Sequence, residues 1–277
     1  MLRLPFLALA ALTLVCALAP AARAGDVKPR IVGGVDAGSI PYQVAVFNGG
    51  GFCGGVIFDA STVITAAHCV VDLGSTNLSP VPDVQVVAGT SNLASLGTDG
   101  VVEDAKTLSV DPQYDPTTND HDIAKIELAS PLWTGSPPPA IQPIGIVNDT
   151  SFDTALSTGV TATVTGWGCT SPEVTGADTC STTLPDALQT VDIPLIDQTT
   201  CTNDYSPVGV TITPNMFCAG VAGADVSTNK DSCFGDSGGP LTIDDPSNPG
   251  HPVLAGLVDS GNGCAQDTFP GIYTRVS

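Results

Sequence analysis

Cationic side chains are scarce in this chain of 277 residues: eight Lys and Arg stand against 28 Asp and Glu, for a formal net charge of −20 with His neutral. Four of the eight lie in the first 30 residues beside a single acid, so the remainder is more acidic still. Such a surface repels nucleic acid and anionic membranes, which excludes both as partners, and it keeps a protein soluble in an external medium. Beyond the N-terminus no apolar run is long enough to cross a bilayer. No C-x-x-C spacing occurs, which argues against a zinc site. Helical periodicity is nearly absent as well. Histidine is limited to His68, His121 and His251, so a general base has few candidates.

What the chain has instead is strand texture. Residues 43–47, 56–60, 63–66 and 84–88, then 160–165, 189–193, 241–243 and 253–258, are short, rich in β-branched residues and bounded by Gly, Pro, Asn or Asp. This pattern predicts an all-β fold. Residues 133–143, with Pro137-Pro138-Pro139, read as a stiff connector. At the N-terminus, Arg3 precedes an apolar run at 4–19 broken only by Pro5 and Thr13, and Ala22-Arg23-Ala24 offers an A-x-A exit. That is the pattern of a secretory signal peptide cut after Ala24; a membrane anchor needs a longer run. Of nine cysteines, Cys16 leaves with the signal peptide, and the even number remaining in an exported chain implies disulfides of open connectivity. Asn77-Leu78-Ser79 and Asn148-Asp149-Thr150 are glycosylation sequons, relevant in a eukaryotic source.

The densest chemical signal is Gly235-Asp236-Ser237-Gly238-Gly239-Pro240. A serine flanked by glycines has little steric cover, and neighbouring N–H groups are free to converge on one spot, as a nucleophile and an oxyanion site require. Glycine-rich turns with Ser and Asp are also common in loops, so Ser237 alone decides little. The nucleophile elbow of α/β-hydrolases fails on order, because the one His after Ser237 is His251, with no strand–helix units between them. Upstream, Thr65-Ala66-Ala67-His68-Cys69 offers a base and Asp122-Ile123-Ala124 an acid entering an apolar run. His121 and Asp120 are the competing candidates; Asp122 is the acid followed by the apolar strand.

The order His68, Asp122, Ser237 resembles that of chymotrypsin-family, trypsin-like secreted serine proteases. Ile31-Val32-Gly33-Gly34, the TAAHC and DIA segments, Gly166-Trp167-Gly168, Asp231-Ser232-Cys233 and the GDSGGP run follow in family order from residue 31 nearly to the C-terminus. The resemblance implies two antiparallel six-stranded β-barrels with the active site in the cleft between them, the first at about 31–132 and the second at about 144–277. It implies that Ser237 attacks the scissile carbonyl, His68 shuttles the proton and Asp122 orients His68. The N–H groups of Gly235 and Ser237 would form the oxyanion hole. Residues 25–30 would be an activation propeptide. Cleavage after Arg30 would free the Ile31 ammonium to fold inward onto Asp236, so the uncut chain would be an inactive zymogen.

Asp231 would floor the substrate pocket and favour Arg or Lys, because a fixed counter-charge in a dry slot is weakly screened. Gly261 and Gly271 would be wall glycines that leave the slot open. The resemblance pairs Cys53–Cys69, Cys201–Cys218 and Cys233–Cys264, which leaves Cys169–Cys180. It implies polypeptide substrates cut after Arg or Lys, protein protease inhibitors as further partners, a monomer, and no cofactor or metal. The loop after Gly89 lacks the acid cluster that holds calcium in animal trypsins.

Two departures stand out. Asp259-Ser260 replaces the family's Ser-Trp, which removes an apolar subsite wall. It also places a second carboxylate near Asp122, where like charges would raise the Asp122 pKa. The family's C-terminal helix does not appear before the sequence stops at Ser277. Both departures would suit a protease homologue retained for binding or inhibition; the joint retention of triad, pocket acid and activation site favours the enzyme. After residue 30 only Lys106, Lys125, Lys230 and Arg275 remain as tryptic cleavage points. The active enzyme incubated alone should therefore persist as one band on gel electrophoresis, and rapid fragmentation would show that cation scarcity gives no protection.

Overall fold

The computed structural model describes residues 31–96, 98–147, 159–171, 184–225 and 228–276. The signal peptide and propeptide readings at 1–30, together with Asn148 and Cys180, lie outside the described residues.

Chain order begins with β1 (Val35–Asp36), followed by β2 (Gln43–Asn48), β3 (Gly51–Asp59), β4 (Thr62–Thr65), β5 (Val84–Ala88), β6 (Val101–Val110) and β7 (Ala124–Leu128). The last six close into an antiparallel barrel in the order β2-β3-β4-β7-β6-β5. After β8 (Gly145–Ile146) come β9 (Thr161–Gly166), β10 (Gln189–Ile196), β11 (Met216–Ala219), β12 (Pro240–Asp244), β13 (Pro252–Ser260) and β14 (Gly271–Arg275). These six form a second antiparallel ring, β9-β10-β11-β14-β13-β12, closed by the β12–β9 pair. Closure removes free strand edges, which suits a chain with this much β structure. The expected all-β, two-barrel architecture is present. The one α-helix among the described residues, α1 (Gln198–Tyr205), is short and N-capped by Asp197, whose carboxylate accepts the Thr200 N–H. No helix among the described residues is long and apolar enough to cross a membrane.

Alternation along the strands fills each barrel. Val44, Val46, Ile57, Val63, Val86 and Ile126 pack inside the first, and Val164, Val191, Ile193, Leu241, Ile243 and Tyr273 inside the second. β6 escapes a search for apolar runs because it reads VVEDAKTLSV and buries only Ala105 and Leu108. Residues 31–36 turn toward the second barrel: β1 pairs with β10, and Ile31 is fully buried in the second core.

Between the barrels, Tyr42, Val56 and Ile64 of the first meet Leu254, Leu257 and Val276 of the second, with Ile144 of the connector region joining them. At this seam the backbones nearly touch. A Cβ on Gly54 of β3 would lie 2.7 Å from Gly239 Cα, so only glycine fits, and the Gly54 N–H donates to the Ser237 carbonyl at 2.8 Å. The seam therefore sets the height of the Ser237 loop above the first barrel. Leu257 is completely buried in it. Leu257→Ala should cost about 2–5 kcal/mol through lost apolar burial and a residual cavity. Urea denaturation followed by tryptophan fluorescence and circular dichroism would measure it, and a loss below about 1 kcal/mol would show that the seam collapses to fill the gap.

Candidate active site

His68 lies in a short 3₁₀ turn, Ala67–Cys69, directly after β4, and the Cys53–Cys69 disulfide ties that turn to β3. Asp122 precedes β7 and is fully buried. Its Oδ2 lies 2.6 Å from His68 Nδ1, and its Oδ1 accepts the His68 backbone N–H at 2.8 Å. Both carboxylate oxygens thus grip one residue. With Nδ1 bearing the proton toward Asp122, Nε2 is left basic. Burial pulls the imidazolium down. The Asp122 charge, its hydrogen bond and the Asp259 charge outweigh that and leave His68 above its ordinary pKa.

A cavity of about 350 Å³ opens beside His68, and Ser237, Asp231, Gly261 and Gly271 all line it. Within the serine loop, the N–H groups of Asp236, Gly238 and Gly239 are committed to the carbonyls of Cys233, Val258 and Asp236. Those of Gly235 and Ser237 have no acceptor among the described residues, so they remain available to an oxyanion. Gly235 adopts φ +93°, a backbone region that a side chain rarely enters.

Asp231 lines the cavity and is 2 % exposed. Its Oδ2 accepts the Ala265 N–H at 3.0 Å, whereas Oδ1 is buried with no hydrogen-bond partner. Burial pushes its carboxyl up to about 8. A Cβ on Gly271 would stand 2.5 Å from Asp231 Oδ1, so glycine there keeps the carboxylate reachable. The Cys233–Cys264 disulfide joins two walls of the cavity, and Cys201–Cys218 links α1 to β11. These three bridges match the expected pairing; Cys169–Cys180 ends on a residue outside the described set. Cys53, Cys69 and His68 gather within ligand distance of one another, but both sulfurs are spent in the disulfide and offer no thiolate to a metal.

Asp236 is fully buried beneath the serine loop, where it accepts the Gly168 N–H at 2.8 Å and the Cys233 N–H at 2.9 Å. No ion pair reaches it among the described residues, and burial pushes its carboxyl up to about 7. The competing candidates sit elsewhere. Asp120 accepts Thr213 Oγ1 at 2.6 Å and Asn215 Nδ2 at 3.0 Å, tying its loop to the second barrel. His121 faces Asn215 and Asp111, and His251 is exposed just before β13.

Asp259 is 4 % exposed and lines the same cavity. The expected proximity to Asp122 is present: burial and the Asp122 charge push the Asp259 carboxyl up to about 7. Sequence reading missed the two side chains that hold Asp259, Asn119 and Thr274, because nothing local distinguishes them from ordinary loop and strand residues. It also missed exposed Leu73 and Phe234 on the cavity lining, although Phe234 stands beside the glycine run.

A serine, a histidine and a buried aspartate collected at the seam of two six-stranded barrels define the two-barrel serine endopeptidases. Comparison with known proteins agrees. The family model described as Trypsin matches residues 31–277. Trypsin Blo t 3 of Blomia tropicalis is 37% identical over 239 residues, covering 86% of this chain and 78% of that protein. The vitellin-degrading protease of Bombyx mori is 36% identical over 94% of this chain and 86% of its own length. Serine protease 1 of Homo sapiens is 35% identical over 91% and 87%. The chain belongs to the trypsin family and is a serine-type endopeptidase acting on polypeptides.

The buried pocket acid has a thermodynamic signature. A carboxyl whose folded pKa is raised from 3.8 to about 8 binds more protons folded than unfolded between those values. Stability then falls as pH rises through that window and levels off above it. The stability of Asp231→Asn relative to the parent protein should therefore grow from pH ~4 to ~8. Melting temperatures across pH would check this; a constant difference would show that Asp231 titrates normally.

Proposed function

We propose that this endopeptidase is exported as an inactive precursor, is switched on by cleavage after Arg30, and cuts polypeptides after Arg or Lys using Ser237, His68 and Asp122. One observation carries the specificity: buried Asp231 lines the cavity that also holds Ser237, and no cationic side chain pairs with it among the described residues. A cationic side chain entering that slot supplies the missing counter-charge, and a weakly screened pair there is strong. The export reading rests on the leader pattern at 1–24 and on the disulfides, which persist in oxidising compartments.

In the proposed reaction Ser237 Oγ attacks the carbonyl carbon after the bound Arg or Lys while His68 Nε2 takes its proton. Asp122 stabilises the imidazolium so formed, and the Gly235 and Ser237 N–H groups donate hydrogen bonds to the carbonyl oxygen as it gains negative charge. His68 returns the proton to the leaving amine. Water then repeats the sequence on the acyl-enzyme and frees Ser237.

The switch has a parallel logic. Asp236 is a buried carboxyl with two N–H donors and no cation among the described residues, and Ile31 is packed in the second-barrel core. Cleavage after Arg30 would turn the Ile31 amide into an ammonium, which in this proposal turns inward to pair with that acid. An ion pair at this depth acts as a conformational latch more than as a source of stability.

The test is hydrolysis of a fluorogenic peptide ending in Arg, before and after nicking at Arg30, with Ser237→Ala and Asp231→Ser alongside. Activity should appear after nicking, vanish in Ser237→Ala, and fall about a hundredfold or more in Asp231→Ser. Folded protein with a verified Ile31 terminus that ignores both Arg and Lys peptides would overturn the specificity.

A further inference from the structure

One buried carboxyl at the cleft has no part in the proposed chemistry. Asp259 sits where β13 and β14 slip register between Val258 and Ser260, so it occupies a β-bulge and faces no residue across the ladder. Bulges beside active sites re-aim a side chain. Its neighbour Val258 is bound on both sides to the nucleophile loop, accepting the Gly238 N–H at 2.7 Å and donating to the Gly239 carbonyl at 2.9 Å. The carboxylate of Asp259 is held at each oxygen. Oδ1 accepts Asn119 Nδ2 at 3.1 Å from the loop that leads into Asp122, and Oδ2 accepts Thr274 Oγ1 at 2.9 Å from β14. Asp259 thus spans the seam between the barrels and shares a cavity with His68 and Ser237.

The ionisable groups that feel its charge are Asp122, His68, Tyr114 in the loop before Asp122, and Tyr205 of α1. Of these, only His68 becomes cationic. We propose that Asp259 is an electrostatic positioning residue, whose carboxylate, held in the bulge by Asn119 and Thr274, adds a second negative charge beside the His68–Asp122 pair and favours the imidazolium form of His68. The effect on turnover rests on the proposed role of His68, whereas the effect on the imidazole itself does not. An imidazolium facing two carboxylates is better stabilised than one facing a single carboxylate, so the proton that leaves Ser237 is more readily received. Burial and the Asp122 charge push the Asp259 carboxyl up to about 7, and the charges of Asp122 and Asp259 hold His68 above its ordinary value, so protonation of either group changes the field at the other.

The first measurement is an NMR titration of His68 in the cut Ser237→Ala protein, with signals assigned through His121→Gln and His251→Gln. Asp259→Asn removes the charge and keeps an acceptor for Asn119 or Thr274. It should lower the His68 pKa by about 0.5–1 unit, and Asp259→Glu should restore most of the shift. With Asp259 in place the His68 signal should titrate in two coupled steps. A single step there, or an unmoved His68 in Asp259→Asn or in Asp259→Ser, overturns the proposal. Hydrolysis of the Arg peptide across pH gives the second readout: the acid limb of kcat/KM should move to lower pH by the same amount. A fall in melting temperature with no movement of either titration would make Asp259 a strut between barrels and nothing more. A shifted His68 titration in a protein that hydrolyses nothing would sustain this inference and overturn the proposed triad chemistry.

Discussion

A buried carboxylate costs several kcal/mol unless hydrogen bonds or a counter-charge replace its water. Asp122, Asp231, Asp236 and Asp259 are each 4 % exposed or less, and they gather around one cleft in a chain with few cations. Each meets the constraint differently. Asp122 gives both oxygens to His68, and Asp236 takes two backbone N–H donors. Asp259 takes an amide from one barrel and a hydroxyl from the other. Asp231 accepts the Ala265 N–H on Oδ2, with the Ser232 and Gly271 N–H groups also acting on the carboxylate, and its Oδ1 has no well-aligned hydrogen bond among the described residues. Asp122, Asp236 and Asp259 each have two hydrogen-bond partners, and Asp231, on the cavity lining, has one oxygen less well satisfied.

The barrels make these depths attainable. A loop could not shield four acids from water, because its own backbone would need hydration. Here Asp122 and Asp259 lie at or near strand ends, Asp231 and Asp236 lie in the loop before β12, and the seam of Tyr42, Val56, Leu254 and Leu257 joins the two barrels beside them. The Gly54–Gly239 contact brings the Ser237 loop against β3, the strand that the Cys53–Cys69 disulfide ties to the His68 turn.

Much of this was legible beforehand for a reason specific to the residues involved. Loops of this kind need glycine for close approach and cysteine for bridging, and these residues leave marks in the sequence: Gly235, Gly238 and Gly271 are visible there, and the Cys53–Cys69 and Cys233–Cys264 pairs are those that the family resemblance implied. Strand β5 was visible as an apolar run, whereas β6 was hidden, because its outward face is polar and its inward face holds little more than Ala105 and Leu108. The packing of residues 31–36 on the second barrel could not be read either, since pairing with β10 joins segments more than 150 positions apart.

By itself the sequence determined the composition of the site, its chemical order and the all-β character of the chain, because these follow from residue type, local spacing and strand periodicity. Tertiary structure alone decided which acids share a cavity and how strongly each is pressed toward its neutral form. Asp120 and Asp122 are near neighbours in the chain, yet one is turned to Thr213 and the other to His68. Asp259 and Asp122 are far apart in the chain, yet each feels the other's charge. Electrostatic coupling depends on distance and on excluded water, and the closing of two barrels sets both.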